Sequence, residues 1–138
     1  MSDISFVLDC EALSRVALRD RSITAVLVKA HQSGIRVVTS SMTLVEAYHS
    51  KIRMPVWNWA MARVVVEPVT EGIADEAIRL LREAGLHGHK DAIDAALAAI
   101  ANRQQGRTAL FTSDVDGMGK LCAKRVQVRP VGPAPGHA

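Results

Sequence analysis

Five short apolar runs recur along the chain with helical patterning between them, and this alternation restricts the fold more than any other feature. Ile4 to Leu8, Ile35 to Thr39, Val64 to Val66, Thr108 to Thr112 and Val126 to Arg129 have the length and residue types of buried strands. From about Glu11 to Ser33 apolar residues follow helical spacing, broken near Asp20-Arg21-Ser22 and closed by Gly34. Ser40-Ser41 caps a helix carrying Leu44, Val45 and Tyr48, and Pro55 opens another through Trp57, Trp59 and Met61. Ile73, Ala77, Ile78 and Leu81 repeat at helical period, and Gly85 and Gly88 punctuate the next segment. Asp91 to Gln104 is Ala-rich, with Ile93, Ala96, Leu97 and Ile100 on one stripe, and Asp114 to Ala123 reads as a last short helix. Strands separated by helices predict an α/β chain: one three-layer α/β/α domain around a central, mainly parallel five-stranded sheet. The domain is expected over residues 1–131, with the Pro- and Gly-rich stretch 132–138 as a flexible C-terminal tail.

The length of 138 residues suits one such domain with a core that needs no staples. A 49% hydrophobic and 22% charged content argues against disorder. No apolar run approaches the roughly 18 residues that a membrane span requires. Met1-Ser2-Asp3-Ile4 lacks the basic-then-apolar order of a secretory signal. Cys10 and Cys122 form neither a disulfide framework nor a zinc spacing, so the expected setting is a reducing cytoplasm. The net charge of +3 permits a nucleic-acid partner without identifying one.

Ligands of doubly wound sheets bind beyond the carboxyl ends of the strands, so the residues there carry the functional argument. Asp9 follows the first strand. Glu46 stands two turns into the helix after the second, and Asp94 lies near the start of the Ala-rich helix. Asp114 and Asp116 follow the fourth strand. Local roles exist for most of them: Asp91 and Asp114 suit helix N-caps, Asp94 and Asp116 suit first-turn charge, and Glu46 suits a solvated helix position. Asp9 is harder to explain locally, because a carboxylate ending a buried parallel strand is costly unless paired or bound to metal.

Carboxylates gathered without cations repel, which raises some pKa values. Magnesium or manganese removes that penalty, since hard cations favour oxygen donors and often combine a few carboxylates with substrate phosphate. Such an ion activates water and offsets charge on a phosphoryl oxygen, so phosphodiester hydrolysis fits this equipment. No G-x-S-x-G elbow is present for acyl chemistry.

Four segments sharpen this reading. Phe6-Val7-Leu8-Asp9, Thr43-Leu44-Val45-Glu46-Ala47, Asp94-Ala95-Ala96-Leu97-Ala98-Ala99 and Leu110-Phe111-Thr112-Ser113-Asp114 resemble, in order and spacing, the PIN-domain ribonucleases. The resemblance is strongest to the VapC-type toxins of bacterial toxin–antitoxin pairs, and it spans nearly the whole chain up to Val131. It implies a metal-dependent endoribonuclease whose acidic quartet is Asp9, Glu46, Asp94 and Asp114. It further implies Asp116 as an additional acid, Thr112 as a supporting hydrogen-bonding residue, and Mg²⁺ or Mn²⁺ as the cofactor. RNA is the implied substrate, with a cognate antitoxin and a second copy of the chain as protein partners. Two positions depart from the family pattern. Glu11 replaces a small hydroxyl residue, either adding a carboxylate or beginning a helix, and Asp91 competes with Asp94 one turn earlier.

Other residues have ordinary roles available. His87 and His89 flank Gly88 in an expected loop, a weak basis for zinc. Lys90, Lys51, Arg53, Arg103, Arg107 and Lys120 could line an RNA path, although solvated charge is the default. Trp57 and Trp59, near Met54, Val56 and Met61, suit packing or a protein interface better than base stacking. Cys10 needs no role beyond a buried thiol. An aspartate-nucleophile phosphatase would want an aspartate where Glu11 stands. The remaining alternative is a catalytically silent PIN-like protein-interaction module.

Overall fold

β-Branched and leucine-rich runs form the sheet because helices cover most of both of its faces, so the central strands need no polar side. In the computed structural model, residues 3–131 are described; the expected tail at 132–138 lies outside them. The strands are β1 (Ile4–Leu8), β2 (Arg36–Ser40), β3 (Val65–Glu67), β4 (Arg107–Thr112) and β5 (Val126–Pro130). They align as β3-β2-β1-β4-β5, and every pairing is parallel. The chain therefore starts in the middle, builds outwards through β2 and β3, then crosses back to β4 and β5. The switch point falls between β1 and β4, where a crevice opens beyond the strand ends.

Helices α1 (Cys10–Ala17), α2 (Arg21–Gln32), α3 (Ser41–Ala47) and α4 (Met54–Met61) precede β3. Helices α5 (Glu71–Ala84), α6 (Gly88–Arg103) and α7 (Val115–Leu121) come after it. The expected break near Asp20 is the α1–α2 junction, where Asp20 caps α2 through Ser22 N and Ile23 N. One core layer joins Val7, Val38, Leu110 and Val126 to α5, α6 and α7. The other joins Leu8, Val37, Ala109 and Phe111 to α1, α2 and α4. Alternation along each strand separates the two layers.

Helix α6 departs from the expected single stripe. Ala95 through Ala101 are all buried, because α6 lies between the sheet and α5. It also begins at Gly88 instead of Asp91, with His87 as an N-cap that makes no side-chain bond. His89, Lys90 and Asp91 thus sit in its first turn and not in a loop. Gly106 precedes β4 at φ 74°, where a Cβ would lie 2.1 Å from Asp3 O, so only glycine fits that turn.

Candidate active site

Asp9 and Asp114 leave the sheet side by side at the switch point. The Asp9 amide donates to Phe111 O at 3.1 Å, extending the β1–β4 ladder by one residue. Asp9 is 3% exposed. Its Oδ1 accepts from Ala12 N at 2.8 Å, capping α1, and its Oδ2 accepts from Ser113 N at 3.1 Å. Thr112, fully buried, donates its hydroxyl to the Asp9 carboxylate and accepts from Asp114 N at 2.9 Å. One hydroxyl thus ties the first acid to the last. Burial still wins over these donors and raises the Asp9 pKa, with Glu11 adding a smaller upward push. Asp114 caps α7 through Gly117 N at 2.9 Å. A Cβ on Gly117 would lie 2.3 Å from Asp114 Oδ2, so glycine there lets the carboxylate lie against the helix start.

Glu46 and Asp94 arrive from opposite sides. Ser40 ends β2 and caps α3 through Thr43 N at 2.9 Å, which aims the second turn of α3 at the crevice. Thr39 holds β2 to β1 just below, donating to Leu8 O at 2.9 Å. Asp94, half-buried on α6, is pushed up to about 6 by burial and then by the charges of Asp9, Glu46, Asp114 and Asp91. Glu46 accepts a bond from the Cys10 thiol. Burial foremost, then Glu46, Asp9 and Asp94, push that thiol far above its ordinary range. Burial and Asp94 push Cys122 up to about 12. Neither thiol is a nucleophile at neutral pH.

A family model described as the PIN domain matches residues 6–123. The chain belongs to the PIN-domain family. A chain of the crystal structure of VapBC2 from Rickettsia felis, bound to a DNA fragment from their promoter, is similar in fold, with a TM-score of 0.65 at 11% identity. The match covers 91% of this chain and 98% of that chain. No curated protein matches.

In this PIN domain the four expected acids share one electrostatic neighbourhood, and the others take separate places. Asp116 is exposed on α7 and faces Lys120 at 3.6 Å, outside the set of charges that shift Asp94. Glu11 accepts from Arg15 Nε at 2.9 Å on α1. Asp91 adds its charge from the first turn of α6. All the donors are hard carboxylate oxygens, which suits a magnesium- or manganese-like ion. Among the described residues, no three His, Cys, Asp or Glu side chains are drawn close enough around one point to hold an ion. Asp9 and Asp114 direct oxygens at helix N-termini, so the acids form a looser ring than a coordination shell. The donor chemistry fits the ion, which would offset the charges of Asp9, Glu46, Asp114 and Asp91 that add to burial in raising the Asp94 pKa. Gly117 and the Cys10–Glu46 contact were not identified from sequence. A G-x-G-K run close after an aspartate was the only available signal for the former, and the latter joins residues from separate elements.

Proposed function

We propose that this PIN domain is a metal-dependent endoribonuclease of the VapC type, the toxin of a type II toxin–antitoxin pair. The observation that carries the reading is the gathering of Asp9, Glu46, Asp94 and Asp114 at the switch point, where burial first and then the neighbouring charges push Asp94 up to about 6. These four would hold Mg²⁺ or Mn²⁺, with Asp116 an added charge at the start of α7. The bound ion supplies an acidified water and offsets charge on the phosphoryl oxygens. Asp9 is the fixed point, held by Ala12 N, Ser113 N and the Thr112 hydroxyl. Thr112 keeps Asp114 in register with it. Glu46, exposed and, among the described residues, bonded to the Cys10 thiol, orients the attacking water and takes its proton on the carboxylate. In-line attack leaves 5′-phosphate and 3′-hydroxyl ends, with no need for the 2′-hydroxyl as nucleophile.

The fold likeness to VapBC2 supports an antitoxin partner, and the exposed Met42, Val45, Tyr48, Met54 and Ile78 support protein contacts, including a homodimer. The cytoplasm is the compartment that suits an RNA-cleaving toxin. Trp57 packs edge-on against Tyr48 at 5.9 Å, and Arg63 lies 4.1 Å over Trp59, so both rings are engaged in packing. The looseness of the acidic ring favours one second reading, a catalytically silent interaction module. Incubating purified protein with total RNA or a tRNA pool, in Mn²⁺, in EDTA and as Asp9→Asn, separates the two. Discrete fragments that need both the ion and Asp9 support the nuclease. Folded protein that cuts nothing supports the module.

A further inference from the structure

Parallel sheets are ordinarily covered by helices on both faces. Among the described residues, one corner of this sheet is bare. On the face that carries α1 and α2, the register sets Ile4 level with Arg107, and Ala109 and Phe111 level with Gln127 and Arg129. Helix α2 reaches only the carboxyl end of these strands, where Ile23 and Val26 adjoin Phe111 and Val131. Towards the amino end lies an open hollow of about 300 Å³. Its described lining comes from β1, β4, β5 and the turn before β5, and no helix residue takes part.

The chemistry of the hollow is one-sided. Ile4 and Phe6 supply an apolar floor, and Arg107, Arg125 and Arg129 stand around it with no Asp or Glu in the lining. Arg125 is bound to the carbonyl oxygens of Asn102, Gln104 and Gly106, and Arg129 to the Gln127 amide oxygen. Arg107 makes no side-chain hydrogen bond or ion pair among the described residues. Asp3 meets Arg107 through the backbone, its carbonyl accepting from Arg107 N, and is ion-paired to none of the three. Among the described residues, therefore, no carboxylate neutralises any of the three charges, and Arg107 and Arg129 are the two left for an anion. Arg107 precedes Phe111, the residue level with Arg129, by four positions, so the two arginines are rooted about 13 Å apart along the strand direction. A small anion would engage one end of the hollow. A chain with charges at intervals engages its whole length.

We propose that this hollow is an exosite for single-stranded RNA, which holds the sugar–phosphate backbone of the substrate away from the bond that is cut. Cationic side chains along a groove with an apolar or aromatic floor are the equipment that such strands require. The identity of the strand as substrate rests on the ribonuclease reading. The start of α2 separates the hollow from the acids, so the exosite sets affinity for long RNA and takes no part in the chemistry.

The test uses the full chain in EDTA, where binding is read without cleavage. Fluorescence anisotropy with a labelled single-stranded RNA is followed from about 0.05 M salt upwards, for the wild type, Arg107→Gln/Arg129→Gln and Arg107→Lys/Arg129→Lys. Arg125 is left in place because its carbonyl bonds hold the turn. Loss of two phosphate contacts lowers the slope of log affinity against log salt by about 1.4, and the lysine variant restores it. A slope and affinity unchanged in the glutamine variant overturn the exosite, as does a wild type that binds no RNA at low salt. Displacement of RNA by a poly-glutamate peptide at lower charge concentration than by unlabelled RNA also overturns it, in favour of an acidic protein partner. Cleavage in Mn²⁺ is scored separately. Binding that depends on the arginines, with no cleavage, sinks the ribonuclease reading and leaves an RNA-binding surface.

Discussion

Thr112 shows how much one buried hydroxyl carries. It donates to Asp9 and accepts from Asp114 N, so Thr112→Val removes a donor from a buried carboxylate and leaves an amide without its acceptor. The expected cost is about 1–3 kcal/mol in urea denaturation at neutral pH, with a marked loss of RNA cleavage. Unchanged stability would count against the bridge. Gly117→Ala sets a Cβ against the Asp114 carboxylate, displacing that cap at a cost of about 1 kcal/mol and lowering cleavage. Asp94 supplies the pH dependence. Its folded pKa of about 6 stands above the ordinary 3.8, so the ion-free fold binds this proton more tightly than the unfolded chain does. Its contribution is therefore most favourable below the ordinary value and is lost as pH rises towards 6. Asp94→Asn should flatten that slope and raise the Tm of ion-free protein at neutral pH, while cleavage is lost. Added Mn²⁺ should raise the Tm of the wild type and leave that of Asp94→Asn nearly unmoved, because only a ligand that binds the folded state stabilises it. Equal shifts in both would argue against Asp94 as a ligand.

Helix α6 is the element on which the site depends most. Its run of buried alanines allows close approach to the sheet and to α5 at once, and this carries Asp94 to the crevice. Ala98 is fully buried, so Ala98→Leu overpacks the layer and should lower stability by about 1–3 kcal/mol in chemical denaturation. A neutral result would mean that the layer holds slack. Strand positions and the α1–α2 break were legible because apolar runs and the Asp20 cap are local signals. The start of α6 was not. Gly88 is a poor helix former and His87 offers no capping bond, so packing decides that first turn; a Cβ on Gly88 would already touch Leu81.

At the scale of the whole molecule, the strand order does what no segment does alone. Placing β1 beside β4 makes neighbours of Asp9 and Asp114, which are 105 positions apart in the sequence. The same order leaves the arginine-rimmed corner bare among the described residues, a feature with no sequence pattern, since Arg107 and Arg129 look like solvated charges at strand ends. From the sequence alone came the α/β alternation, the family resemblance and, through it, the four candidate acids with Thr112 beside them. Each rests on residue type at short spacing or on motif order. Tertiary structure alone decided that every strand runs parallel, that Asp116 lies 3.6 Å from Lys120, that the stretch Ala95 to Ala101 of α6 is buried all round, and that one sheet corner stays open among the described residues. The physical reason is range. Periodicity and caps act within a few residues, whereas the direction of a side chain and the charges around it depend on pairings between distant parts of the chain.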